Sequence, residues 1–224
     1  MCFSATASFG LSGVLTGLGA VALARNEEPP QRMFAAVPLL FAAQQAAEGT
    51  VWATFDGGSL ELHRLAVTAF LAFAMVIWPI WLPIALHRAE REPRRRRALA
   101  AIVAAGLLVA TPAAVWLARG EFTAHIAGRC IAYEMGAERG VHTSTWALFC
   151  YIVPTVLPFF VSSLRLTRWL GALIVGSLLA TVTAERVALT SVWCFFAAAI
   201  SGMIIWIVSP QGAQARPFPA PAKR

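Results

Sequence analysis

The chain has 224 residues, of which 58% are hydrophobic and 13% charged, with a mean hydropathy of +0.68. A soluble globular domain is nearer a quarter charged, so that class is excluded. A net charge of +7 and a pI near 10.2 would suggest nucleic acid in a soluble protein, but here the cations lie between long apolar runs and are read as topology determinants facing lipid.

These runs predict an all-α integral membrane bundle of about seven transmembrane helices, each close to the roughly 20 residues that cross hydrocarbon. The expected organisation is a single bundle domain over 1–209 and a disordered cytoplasmic tail over 210–224, rich in Pro and Ala.

The first span is predicted from Phe9 to Ala24, with Gly13 and Gly17 on one face to allow close helix approach. No cation precedes this apolar run and Arg25 follows it, the reverse of a secretory leader. The segment is therefore expected to remain as a span inserted N-end outward, with Cys2 not a lipoprotein acylation site. Pro29-Pro30 break the short inner turn from Arg25 to Arg32.

The second span, Met33 to Phe55, carries Gln44, Gln45 and Glu48 in apolar surroundings. An ionised carboxylate at the centre of a spanning helix costs roughly 2.5–3.5 kcal/mol, so it requires a partner or water. Helical spacing puts Gln44, Glu48 and Trp52 on one face, flanked by Gln45. The functional reading is an outward-facing polar pocket with Glu48 as ligand, base or proton carrier. The structural reading has Glu48 bonded to Gln45, a hydroxyl or Arg186, locking the bundle.

The third span, Leu65 to Leu86, contains Trp78-Pro79-Ile80-Trp81-Leu82-Pro83, whose prolines predict a kink and freed carbonyls. A basic run from His87 to Arg97 follows; Arg88 to Arg97 are expected to meet anionic lipid headgroups. The fourth span runs from Ala98 to Leu117. The connection from Ala118 to Ser144 has apolar residues Phe122, Ile126, Cys130, Tyr133 and Ala137 at helical spacing, which predicts an amphipathic helix lying at the outer interface and ending at Gly140. Spans five, six and seven are predicted at Thr145 to Val161, Trp169 to Thr183 and Thr190 to Val208. No internal repeat is legible.

The arginines set the orientation. Roughly thirteen cations fall in predicted inner segments (among them Arg25, Arg32, Arg88, Arg91, Arg94 to Arg97, Arg165 and Arg168). About five fall outside: Arg64, Arg119, Arg129, Arg139 and Arg186. The bias predicts an outside N-terminus, a cytoplasmic C-terminus and a multi-pass protein of the cell membrane. It also gathers Cys2, Cys130, Cys150, Cys194, His63, His125 and His142 toward the outer face. Cys2, His63, Cys150 and Cys194 are the candidate ligands for a metal ion there, Cys2 through its thiol and a freed amine. Without CxxC or HxxxH spacing, disulfides or plain buried thiols stand beside that reading. Trp52, Trp116, Trp146 and Trp193 read as an outer aromatic belt.

The opening Met1-Cys2-Phe3-Ser4-Ala5-Thr6-Ala7-Ser8-Phe9, the Gln44-to-Trp52 block and Trp193-Cys194-Phe195-Phe196-Ala197-Ala198 together resemble a family of uncharacterised prokaryotic membrane proteins. The resemblance implies a multi-span bundle without an established activity, and draws attention to Cys2, Gln45, Glu48, Trp52 and Cys194. A retinal-binding rhodopsin is excluded because Lys223, in the tail, is the only lysine. The histidine pair that an alkaline ceramidase carries in its last span is absent from this sequence.

Three functions follow as expectations. One is binding or transport of a small ligand or ion in a pocket of Gln44, Gln45, Glu48 and Trp52. Another is a membrane-embedded metal- or thiol-dependent enzyme with Glu48 as acid/base. The last is a structural subunit of a membrane complex.

Overall fold

The structure is a computed structural model that describes residues 4–55, 57–120, 122–128, 130–135, 145–164, 166–184 and 200–209. It is mostly helical. Helix α1 (Ala5–Arg25) starts where the Ser4 hydroxyl accepts the Ala7 N–H at 3.2 Å. A 3-10 turn opened by the two prolines leads into the short α2 (Arg32–Ala35) and then α3 (Val37–Phe55). Helices α4 (Leu60–Ala72) and α5 (Trp78–Ala89) are joined through a π-helical turn, Phe73–Ile77, into one apolar rod. Helix α6 (Pro93–Arg119) runs to Gly120, which ends it in the left-handed region at φ +69°. Helices α7 (Thr145–Val161), α8 (Thr167–Ala184) and a last stretch at 200–208 complete the helical set.

Among the described residues three helices are long and apolar enough to cross a membrane: Ala5–Arg25, Leu60–Ala89 and Pro93–Arg119. In α3, Gln44, Gln45 and Glu48 interrupt the apolar sequence. The cytoplasmic tail expected over 210–224 lies outside the described residues, as does the turn at Glu185-Arg186.

Two expectations about packing are corrected. Helix α1 lies against α3 through Ser8, Leu15, Gly19 and Ala22. Gly19 gives way to Leu39, and Gly49 on α3 gives way to the Phe9 ring. A β-carbon on Gly13 or Gly17 would meet nothing within 4 Å among the described residues. The small-residue seam is therefore rotated away from the pair that the sequence suggested.

The connection expected to lie outside as an amphipathic helix is not a helix over its described part. It is an antiparallel hairpin of β1 (Phe122–Ala127) and β2 (Cys130–Met135), with Ala127 paired to Cys130 across Gly128 at φ +63°. Phe122, Ala124, Ile131 and Tyr133 face Val67, Phe70 and Ala113 in a small second core, and the Tyr133 ring stacks on Phe70 at 4.5 Å. Alternation with period two across a glycine turn accounts for the pattern that also fits a helical stripe. Gly140 lies outside the described residues.

The irregular backbone of the third predicted span has atomic causes. The Trp78 N–H bonds the Phe73 carbonyl, one residue further back than in an α-helix. Proline at 79 has no N–H to offer, so the Ala74 carbonyl is left over. The Tyr151 hydroxyl of α7 donates to it at 2.6 Å. Pro83 frees the Pro79 carbonyl in the same way, and Gly106 of α6 packs directly over that oxygen.

The arginine-rich end is stapled rather than merely solvated. Glu90, only 3% exposed, accepts the Arg91 and Glu92 N–H groups at 2.9 Å each. It also accepts the Ser163 N–H at 2.6 Å and the Ser163 hydroxyl at 2.7 Å. Arg95 caps the end of α7 by donating to the Val161 carbonyl at 2.9 Å. Arg91 pairs with Glu28 at 2.6 Å.

Replacing Glu90 by Ala removes the shared acceptor of the Arg91, Glu92 and Ser163 donors in a partly buried turn. The expected loss is on the order of 3 kcal/mol, since hydrogen bonds to a charged group are each worth about 1.5–3 kcal/mol. Detergent-denaturation midpoints would measure it. Gly106→Ala should be at least as damaging, because a β-carbon there overlaps the Pro79 carbonyl oxygen.

Candidate functional site

Helix α3 turns its polar side chains inward. Gln45 is 1% exposed and Glu48 0%. Three residues apart, they lie on adjacent turns of one helix, and the Gln45 Nε2 amide donates to Glu48 Oε2 at 3.1 Å. Gln44, also buried, faces α5, where the Trp78 indole N–H donates to its Oε1 at 2.7 Å. The Phe41 ring packs on Trp78 with centroids 4.3 Å apart and holds the indole in place. The patch therefore presents a carboxylate and amide oxygens, the hard oxygen donors that suit a proton or a small cation.

The sequence placed Gln44, Glu48 and Trp52 on one face, but their partners diverge. Trp52, half-buried, meets Phe55 edge-on at 6.2 Å and belongs to the small core beneath the hairpin. Its indole nitrogen is buried with no hydrogen-bond partner among the described residues. Trp78 takes the place beside Gln44 that the sequence reading left empty. The signal was present: an indole one residue before a helix-kinking proline already implies an irregular, polar backbone nearby.

A small cavity of about 30 Å³ adjoins the patch, bounded by Phe41, Trp78, Tyr151 and Thr155 among mainly apolar neighbours. At roughly 10–15 Å³ per water centre, it has room for about two waters. Tyr151 and Thr155 both project into this region from α7, where their hydroxyls are tied to backbone carbonyls.

Of the candidate metal ligands, His63 and Cys150 lie among the described residues. His63 lies near the start of α4, where its Nδ1 is 2.8 Å from the Thr54 hydroxyl. That hydroxyl also sits 2.8 Å from the Thr50 carbonyl and 2.9 Å from the Val51 carbonyl. Its single proton goes to those carbonyls, so it accepts from Nδ1–H and leaves Nε2 as the outward nitrogen. The Phe55 ring stands edge-on to the imidazole at 4.8 Å.

Cys150 on α7 and Cys130 on β2 are free thiols. His125 is exposed on β1, while Cys2, Cys194, His142 and Trp193 lie outside the described residues. Among the described residues no three His, Cys, Asp or Glu side chains gather to hold a metal ion.

A family of unknown function (DUF6629) matches residues 1–220, and the chain belongs to it. No curated protein and no solved structure matches the chain.

Trp78→Phe keeps the ring against Phe41 but withdraws the donor from buried Gln44. A loss of about 1–2 kcal/mol is expected from the stranded amide oxygen, measured as a lowered unfolding midpoint. Trp78→Phe combined with Gln44→Leu should recover part of it, since removing both partners of a buried bond is milder than removing one.

Proposed function

We propose that this member of the family is a multi-pass cell-membrane protein, N-terminus outside, that binds or transports a proton or small cation through Glu48. The observation that carries the reading is a carboxylate with no solvent exposure, set two turns into an apolar helix and oriented by the neighbouring Gln45 amide. Such a group is expensive in hydrocarbon and is a functional site by default. Glu48 lies about 10 Å along α3 from its end at Phe55, at the helical rise of 1.5 Å per residue. The site is thus closer to the hairpin end than to the arginine-rich end.

The bundle reading is supported by two further features. Leu65, Leu108, Trp169 and Trp206 each expose more than half of their surface, as lipid-facing side chains would. The Arg91–Glu28, Arg95–Val161 and Glu90–Ser163 contacts bring the α1–α2, α5–α6 and α7–α8 connections to one end. Those connections carry the arginine excess, so one end of the bundle is assigned to the cytoplasm and to anionic headgroups at Arg88, Arg94, Arg96 and Arg97. The hairpin then lies outside.

A structural lock is the second reading, favoured by the same Gln45–Glu48 bond. Glu48→Gln separates the two, because glutamine keeps the size and the hydrogen-bonding capacity but not the charge. In proteoliposomes, sodium or proton flux carried by the wild-type chain should fall at least about tenfold in Glu48→Gln and survive in Glu48→Asp. Equal flux in wild type and Glu48→Gln removes the proposed role. Flux absent from both, with a lowered unfolding midpoint in Glu48→Gln, assigns Glu48 to the lock.

The orientation has its own test in a background with the native cysteines replaced by serine. A membrane-impermeant maleimide added to intact cells should label Ser59→Cys and leave Arg94→Cys untouched. The reverse pattern overturns the topology.

A further inference from the structure

At the hairpin end, away from Glu48, α4 and the start of β1 enclose an open cleft of about 430 Å³. This falls within the range of small-molecule sites. Its polar lining includes His63, Arg64 and Thr123, and among the described residues none of the lining is acidic. Leu60, Val67 and Phe122 make an apolar floor beside them.

The His63 and Arg64 side chains are positioned by the fold. The imidazole is held through Nδ1 by Thr54 and from the side by Phe55, so the proton-accepting or proton-donating atom left to a ligand is Nε2. The Arg64 guanidinium lies across the left-handed Gly120 that ends α6. A β-carbon at Gly120 would stand 2.9 Å from Nη2, which places the guanidinium against the end of α6. The guanidinium repels a metal cation and attracts an oxyanion, whose paired oxygens it matches, and only an imidazolium at His63, with Nδ1–H given to Thr54, can donate to the same anion from Nε2.

The surroundings indicate what carries that oxyanion. Leu60 is 74%, Leu62 46% and Leu65 65% exposed on the first turns of α4, so apolar side chains stand uncovered beside the cationic cleft. A group with an anionic head and an apolar tail fits this pairing of surfaces better than a bare ion.

We propose that the His63–Arg64 cleft binds a phosphate-class anion, with the Arg64 guanidinium and the Nε2–H of a His63 imidazolium on its oxygens and the exposed leucines along an attached acyl chain. The membrane's phospholipids and free phosphate are the two sources of that chemistry. The leucines favour the lipid. The site is independent of Glu48 and does not require any flux through the bundle.

The test follows the His63 side-chain nitrogens by NMR in the detergent-solubilised full chain, with the signals assigned by His63→Gln. The chain is titrated separately with short-chain phosphatidylglycerol and with inorganic phosphate. A saturable shift of His63 is expected with the lipid, weakened at least about tenfold by Arg64→Gln, the equivalent of one lost charge-assisted bond. Arg64 is exposed, so that change should leave the fold intact.

Saturation by the lipid alone identifies the lipid as the source. Saturation by inorganic phosphate at equal affinity shows that the phosphate group alone suffices. His63→Gln, read by calorimetry, must lose the same binding, which keeps the test decisive should Arg64→Gln misfold. Absence of a saturable shift with either probe, or a shift of equal affinity in the Arg64→Gln chain, overturns the proposal.

Discussion

A polar group cut off from water has to be satisfied from within the chain, and this structure is organised around that requirement. The π-turn and Pro79 strip the Ala74 carbonyl of its helical donor, and Tyr151 supplies another from a different helix. Pro83 exposes the Pro79 carbonyl, and the absence of a side chain at Gly106 lets α6 close over it. Irregular backbone in α4–α5 is thereby converted into the contacts that fix α6 and α7 against it. The same rule governs Gln44, which takes its donor from the helix that follows the π-turn.

Two buried carboxylates show the rule with opposite outcomes. Glu90 accepts four donors from backbone and a hydroxyl, and these tie one turn of the bundle to another. Its surroundings suit an ion kept permanently in place. Glu48 accepts an amide N–H from its own helix, in a helix whose neighbours are largely apolar. The donors on Glu90 cross from one connection of the fold to another, whereas the Gln45 amide reaches Glu48 from one turn along the same helix.

The two ends of the bundle are built differently as well. At the arginine-rich end, ion pairs and capped helix termini hold the connections together. Arg91–Glu28 is partly exposed and contributes little by itself, so much of the strength there comes from Glu90. At the other end a two-stranded hairpin rests on Phe70 and Val67 and leaves a cleft beside α4. Helix α3 links the two regions, since it carries both Glu48 and the threonine that orients His63. The two candidate regions are therefore tied together through that one helix.

Local sequence alone determined the membrane-like composition, most helix positions and the choice of Gln44, Gln45 and Glu48, because apolar run length and a charge inside such a run need no knowledge of neighbours. The predicted limits of α7 coincide with the observed Thr145–Val161. Tertiary structure decided what local pattern leaves open. A stripe at Phe122, Ile126, Cys130 and Tyr133 fits period 3.6 as well as strands about a glycine turn, and packing against Phe70 selects the strands. Glu90 read as one acid in a basic loop, since the donors from Ser163 lie 73 positions away. The pairing of Trp78 with Gln44 and of His63 with Thr54 was hidden for the same reason: a hydrogen bond depends on which helices meet, and that is settled by shape in three dimensions.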